Sequence, residues 1–249
     1  MTRMTGRTAL VTGASQGIGA AIARRLAAEG ATVALTYAHD ASGPLAAEVC
    51  AAIEAEGGKA VTLRFDAESD EQVRTLIPNA VAALGRLDVL VNNAGVGIYR
   101  PVDEITDEDV ARTLLINTAV PYRLARDAAA VMGEGGRVIS IGSTVATRVP
   151  RRTSSVYAMS KAALIGMTKG MARDLADRGI TVNLVSPGPT RTRFTPPPES
   201  PAAEAMMRLN ALPRFADPSE IAGLVAYVAS PESGYVTGAN LCVDGGYTV

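Results

Sequence analysis

Thr8-Ala9-Leu10-Val11-Thr12-Gly13-Ala14-Ser15-Gln16-Gly17-Ile18-Gly19 is the stretch that decides the architecture. A short β-prone run, Thr8–Thr12, enters a glycine-spaced turn, and an alanine-rich helical stretch follows at once. Glycine allows a sharp turn and lets the backbone approach a ligand closely. The helix start then offers free N–H groups and the positive end of a dipole, a seat suited to a pyrophosphate. Gly19 lets the helix pack tightly on the strand. A glycine pattern in this strand–turn–helix context predicts a dinucleotide site at Gly13, Ser15, Gln16, Gly17, Ile18 and Gly19.

The alternation continues to the C-terminus. Further strands are expected at Thr32–Tyr37, Ala60–Phe65, Asp88–Asn92, Arg137–Ile141, Ile180–Val185 and Asn240–Val243. Several are nearly continuous apolar runs, the mark of strands buried on both faces of a parallel sheet. Helices are expected at Gly17–Glu29, Gly43–Glu56, Asp70–Leu84, Asp107–Met132, Ser155–Arg178 and Pro218–Ala229. Strand alternating with helix predicts an α/β Rossmann fold: a doubly wound parallel sheet of about seven strands with helices on both faces. Residues 1–249 form one domain on this reading. The segment Pro187–Pro201 carries six prolines and is the one long irregular stretch, so a substrate lid is expected around 187–212.

Composition narrows the function. Lys plus Arg total 24 against 25 Asp plus Glu, a formal charge of −1, which gives no reason to expect nucleic acid or an anionic membrane. Cys50 and Cys242 are too few for a disulfide framework or a thiolate zinc site, and no metal site is expected. His39 is the single histidine, so multi-histidine metal sites are excluded and a Ser-His-Asp triad would have to use a residue in a polar turn. The first residues lack the apolar core of a signal peptide, and no apolar run is long enough to span a bilayer. A soluble cytoplasmic protein is the expectation.

Tyr157 and Lys161 lie four residues apart in a helical stretch, which puts a phenol and an ammonium one turn apart on one face. A nearby cation favours the phenolate, so the pair could exchange protons near neutral pH. At the end of the second strand the chain reads Thr36-Tyr37-Ala38-His39, without the carboxylate that would bind the ribose hydroxyls of NAD. A 2′-phosphate meets no like charge there. NADP(H) is therefore favoured over NAD(H), with Ser15, Gln16, Tyr37, Ala38 and His39 as its expected neighbours.

Taken together, these residues make the chain resemble the short-chain dehydrogenase/reductase family over nearly its whole length, with 3-oxoacyl-carrier-protein reductases and related NADPH ketoreductases as the nearest likeness. The family's glycine motif is similar to Thr12–Gly19, and its Asn-Asn-Ala-Gly signature to Asn92-Asn93-Ala94-Gly95. The resemblance implies a catalytic set of Asn117, Ser143, Tyr157 and Lys161, with Ser140, Ser154 and Ser155 as nearby rivals of Ser143. It implies cofactor contacts at Asp66, Ala67, Asn93, Ala94, Gly95, Tyr157 and Lys161, and at Pro187, Gly188, Thr190 and Thr192. It further implies that the Asn117 main-chain carbonyl holds a water beside Lys161, and that the chain is a homotetramer reducing a small-molecule ketone or oxidising an alcohol. Of the two basic positions with which such reductases meet an acidic acyl carrier, one matches Arg178 and the other falls on Glu134, which is unfavourable for that partner. Arg151, Arg152, Arg191 and Arg193 stand near the expected entrance, where they would suit an anionic substrate group or simply be solvated. An NAD-dependent alcohol or sugar dehydrogenase, or a non-catalytic dinucleotide sensor, are the alternatives.

Overall fold

Seven strands pair in the order β3-β2-β1-β4-β5-β6-β7, every pair parallel. They are β1 (Thr8–Val11), β2 (Thr32–Tyr37), β3 (Lys59–Arg64), β4 (Val89–Asn92), β5 (Arg137–Ile141), β6 (Thr181–Pro187) and β7 (Asn240–Val243). The helices are α1 (Gly17–Ala28), α2 (Gly43–Ala55), α3 (Asp70–Leu84), α4 (Asp107–Leu114), α5 (Val120–Val131), α6 (Ser155–Asp174), α7 (Pro201–Met207) and α8 (Pro218–Ala229). This computed structural model describes residues 2–150, 152–193, 195–197 and 199–249.

Period-two alternation in the central strands feeds two cores. Val11, Val33, Val89 and Ile139 face a layer built by Ile22 and Leu26 of α1, Val49 and Ile53 of α2, and Ile221 and Val225 of α8. Their neighbours Leu10, Ala34, Leu90 and Val138 face Leu76 and Ile77 of α3, Leu124 and Ala128 of α5, and Met171 of α6. Strands so covered must be apolar on both faces, which is why β1, β4, β5 and β6 are buried at every position. The edge strands β3 and β7 are partly exposed.

Charged groups at the amino ends of the strands are well paired. Asp88 accepts from the Thr8 N–H at 2.9 Å and from Arg86 Nη2 at 2.6 Å. Glu29 accepts from Arg3 Nε at 2.7 Å, Arg3 Nη2 at 2.6 Å and Arg25 Nε at 2.7 Å. Burial alone would raise the Glu29 pKa, but the two arginines outweigh it and hold the carboxyl below its ordinary value. Arg137 is buried without a carboxylate and donates instead to the carbonyls of Gly135 at 2.9 Å and Gly136 at 3.0 Å.

Three elements depart from expectation. The helix expected over Asp107–Met132 is interrupted: residues Leu115–Ala119 form a π-turn between α4 and α5. Within the stretch expected to be irregular, Ser200 accepts from the Ala203 N–H and starts α7 at Pro201. The long helix from Ser155 ends at Asp174, with a 3-10 turn over Ala176–Arg178. No helix among the described residues is long and apolar enough to cross a membrane.

Candidate active site

The crevice lies at the carboxyl ends of β1, β4, β5 and β6, over the point where strand order reverses, the usual ligand position in open α/β sheets. A cavity of about 870 Å³ opens there. Its lining includes Ile18, Asn93, Gly95, Ser143, Tyr157, Lys161, Pro187, Gly188, Thr190 and Thr192, all expected from the sequence.

The phosphate end is built by close backbone approach. Gly13 and Gly17 have positive φ, 62° and 57°, which other residues adopt only with strain. A Cβ on Gly19 would stand 2.5 Å from Asn93 Nδ2, so only glycine fits. Thr12 ties the turn to the segment after β4: its Oγ1 accepts from the N–H groups of Asn93 and Ala94, each at 3.0 Å. Asn93 Nδ2 answers by donating to the carbonyls of Thr12 and Gly13, each at 2.9 Å. Ser69, Thr106, Ser200 and Asp217 cap α3, α4, α7 and α8; α1, like α2, α5 and α6, has no side-chain cap and no acid in its first turn. That leaves the first N–H groups of α1 without a side-chain acceptor, the arrangement an anionic ligand would complete. A pyrophosphate-bearing cofactor therefore fits the residues present.

Other expected cofactor residues lie around this turn rather than in the cavity wall. Ser15, Gln16 and Gly17 border a second cavity of about 600 Å³ beside Arg24 and Arg25. Tyr37 and Ala38 are half-buried at the end of β2 and His39 is exposed. The first acid beyond them, Asp40, pairs with Arg64 at 3.2 Å. Asp66 and Ala67 follow β3; the Asp66 carboxylate turns onto the Glu68 N–H at 2.9 Å.

At the other end, Ser143, Tyr157 and Lys161 converge. Ser143 leaves β5 in extended backbone and donates to the Tyr157 hydroxyl oxygen. The rivals are placed differently: Ser140 is buried inside β5 and Ser155 is exposed, while Ser154 only borders the cavity. Lys161 is buried, donates from Nζ to the Ile141 carbonyl at 2.9 Å, and sits 5.9 Å from the Tyr157 ring centroid. Burial lowers its pKa to about 8, so the ammonium prevails at neutral pH. The phenol moves opposite to the sequence expectation. Its pKa is raised, first by burial and then by Tyr99, and the Ser143 hydrogen bond only partly offsets this. Lys161 is committed to a carbonyl, and its charge does not make the phenol more acidic in this structure.

Asn117 is fully buried in the π-turn. Its Nδ2 donates to the Val96 carbonyl at 2.8 Å and to Ser160 Oγ at 3.0 Å, and its Oδ1 accepts from the Val96 N–H at 2.9 Å. This clamps the segment after β4 against α6. Four residues on stands Pro121, which has no N–H, so the Asn117 carbonyl lacks the donor an α-helix would give it. A π-turn at such a place is a frequent mark of a functional site. Gly95 permits the approach of both partners: a Cβ there would lie 3.1 Å from Asn117 Oδ1 and 3.5 Å from Lys161 Nζ.

Tyr99 was missed by sequence reasoning, because it belongs to no motif and lies in irregular chain. Its ring stands 5.5 Å from that of Tyr157, tilted by 55°. Met206 of α7, Val145, Val149 and Tyr247 also line the cavity and were not foreseen. Arg152, Arg191 and Arg193 do not line it; Arg191 lies near Asp217 instead, and Arg151 is outside the described residues. Phe194 and Pro198, within the expected lid, are outside them too. Among the described residues, no group of three or more His, Cys, Asp or Glu could hold a metal ion.

A family model described as enoyl-(acyl carrier protein) reductase matches residues 13–248. The chain belongs to the short-chain dehydrogenase/reductase family. A solved short-chain dehydrogenase from Burkholderia cenocepacia J2315, in complex with NADP, is 45% identical with a TM-score of 0.95, over 99% of this chain and 100% of that one. A short-chain dehydrogenase/reductase from Serratia marcescens BCRC 10948 is 45% identical with a TM-score of 0.96, over the same shares of 99% and 100%. The cyclic-di-GMP-binding biofilm dispersal mediator protein of Escherichia coli K12 is 41% identical over 99% of both chains. Members of this family are oxidoreductases that interconvert CH–OH and C=O groups, and this chain is one of them.

Proposed function

We propose that the chain is an NADP(H)-dependent ketoreductase of the 3-oxoacyl reductase type, acting on a free small ketone or the corresponding secondary alcohol. The observation that carries this reading is the convergence of the Ser143 and Tyr157 hydroxyls, beside a buried ammonium, in one cavity with the glycine turn. Bound NADPH supplies the hydride. The turn Gly13–Gly19, Asn93–Gly95 and Pro187–Thr192 would hold it, and the absent carboxylate after β2 leaves room for a 2′-phosphate. The NADP complex of the 45% identical Burkholderia protein supports that choice.

Tyr157 gives its proton to the substrate oxygen as negative charge grows there. Ser143 donates a hydrogen bond to the same oxygen and fixes its position. Lys161 adds positive charge to the site and would also hold the nicotinamide ribose. The Asn117 carbonyl, which Pro121 deprives of an i+4 donor, would accept the hydrogen bond of a water through which the proton is replaced.

The carrier-bound form of the substrate is less well supported. Arg178 is engaged, donating to the carbonyls of Ala129 at 2.6 Å and Met132 at 2.9 Å at the end of α5, with Glu134 close by. Residues 187–212 act as the substrate lid: Met206 reaches the cavity, and Thr192 lies across from the glycine turn, 3.7 Å from where a Cβ on Gly17 would stand. Met159, Ala163, Gly166 and Gly170 form an exposed stripe of small or flexible side chains on α6, suited to pairing with a second copy and, from there, to a homotetramer. The test is to supply NADPH or NADH with a ketone panel. NADPH consumption that Tyr157→Phe abolishes bears the reading out. Preference for NAD with an alcohol or sugar would replace it by the dehydrogenase alternative, and NADPH binding without turnover of any ketone would leave a sensor. A monomeric mass in solution would refute the tetramer.

A further inference from the structure

Three segments distant in sequence meet at Tyr247, which is buried and lines the cavity. The first is the 3-10 turn Thr144–Ala146, capped by Ser143 at the end of β5. It runs on to Arg148, whose N–H donates to the Thr144 carbonyl at 3.0 Å. The second is the chain after α7. There the Leu212 N–H donates to the Gly245 carbonyl at 2.8 Å, and a Cβ on Gly246 would fall 2.6 Å from that of Ala211. The third is the C-terminal turn itself. Asp244 Oδ1 accepts from the Gly246 N–H at 3.0 Å, and its Oδ2 accepts from the Thr248 N–H at 3.0 Å and from Thr248 Oγ1 at 2.6 Å. Arg148 fastens the first segment to the third. Its Nη1 donates to the Tyr247 carbonyl, and its guanidinium lies 5.5 Å from the centroid of the Tyr247 ring. One cation thus holds both the main chain and the ring of one residue.

We propose that Tyr247 determines substrate specificity: the larger substituent of the ketone is an apolar group that lies against Tyr247, and this wall limits its length. Arg148 is a positioning residue that keeps the wall still. The inference rests on the ketoreductase reading above and adds the shape and chemistry of the substrate to it. Three observations agree. The turn that Ser143 caps also carries Arg148, so the wall is tied by a short path to the hydroxyl that fixes the substrate oxygen. The cavity lining also includes Val145, Val149, Pro150 and Met206, and Val149 is half exposed, an apolar side chain that a bound apolar group would cover. Arg148 does not itself line the cavity and is engaged with Tyr247, so its charge is not presented to an anionic substituent.

The probes are straight-chain methyl ketones, from acetone to methyl nonyl ketone, each with saturating NADPH. For the parent, kcat/KM should rise with chain length and then fall once the chain meets Tyr247. A misfit of one methylene in an apolar pocket corresponds to about tenfold or more in kcat/KM. Tyr247→Ala should therefore move the optimum to a longer ketone and raise kcat/KM for the longest probe, relative to acetone, by at least about tenfold. Arg148→Met removes both contacts and leaves Tyr247 in place. It should move the preference the same way by about twofold to tenfold, through KM, with kcat for acetone nearly constant. Added to Tyr247→Ala it should change little, because the ring it positions is gone. NADPH affinity, read by fluorescence, should stay at the parental value; a single variant that has lost it is misfolded, and the other then decides. An optimum unmoved in Tyr247→Ala overturns the inference, and one unmoved in Arg148→Met overturns the role of Arg148. A uniform loss of kcat/KM along the series would make Tyr247 structural and overturn it too. So would a parent that reduces other ketones of the panel but none of this series. If the parent reduces no ketone at all, the ketoreductase reading falls as well.

Discussion

The two edges of the sheet treat polar groups in opposite ways. At the amino edge, Asp88 and Glu29 are surrounded by donors, and Glu29 is held ionised by two arginines. At the carboxyl edge, Lys161 is buried with one carbonyl and no carboxylate, Tyr157 is held away from ionisation, and α1 has no side-chain cap. The first arrangement satisfies charges and stabilises the fold. The second leaves donors and a cation short of partners, at a cost in stability that a bound anion and a developing alkoxide could recover. Incomplete pairing alone does not mark the site, because Arg137 at the amino edge is also a buried cation held only by carbonyls; what sets the carboxyl edge apart is that its cation and its phenol line a cavity beside the glycine turn.

The sharpest way to break this contrast is Tyr157→Phe. As general acid, Tyr157 should account for about 10²–10⁴-fold in turnover, with NADPH binding by fluorescence and melting temperature nearly unchanged. Loss of binding and stability together would make the carboxyl edge structural, like the other. Lys161→Met comes next. It should abolish turnover yet stabilise the cofactor-free protein at neutral pH, because a buried cation without a counter-charge is removed.

Linkage gives the sign for Lys161. Its folded pKa of about 8 lies below the ordinary 10.5, so between those values the unfolded chain binds the proton that the folded chain has lost. Stability of the parent relative to Lys161→Met should therefore rise from pH 8 to pH 10.5, by about 3 kcal/mol, in urea melts across that range. A flat difference would mean that Lys161 is not desolvated.

Asp88→Ala should act only on the fold. It removes the acceptor of the Thr8 N–H and of Arg86, and should cost about 2–3 kcal/mol in denaturant melts without altering NADPH affinity. Glu29→Gln should give the smallest effect, a loss of stability present above pH 4.5 that fades in acid. A carboxyl with a depressed folded pKa contributes stability above its unfolded pKa of 4.5 and loses it as pH falls through the folded value. The variant should thus show a shallower loss of stability below pH 4.5, by thermal melting, than the parent does.

Much of this contrast is readable in the sequence, and the unreadable part has physical causes. Strands buried on both faces announce themselves as apolar runs, so all seven were foreseen to within two residues at each end. Gly13, Gly17 and Gly19 stand where positive φ or close approach demands them, so the turn was legible as well. The π-turn was not, because Leu115–Ala119 has ordinary helical composition; Pro121 was the one available signal. α7 was hidden by the prolines around it, although Ser200-Pro201 is a good helix start. Spacing placed Tyr157 and Lys161 on one face but could not tell that the ammonium is drawn to the Ile141 carbonyl. Tyr99 reaches the site through loop geometry alone, which no periodicity encodes.

The seam between β1 and β4 has a consequence for how the molecule comes apart. Thr12 and Asn93 stitch two stretches of chain far apart in sequence, and the glycine turn rests directly on that join. A ligand bridging it would act as a rivet through both halves of the sheet. Amide hydrogen exchange should then slow on saturation not just around the turn but across β1, β4 and their outer neighbours, as one cooperative unit.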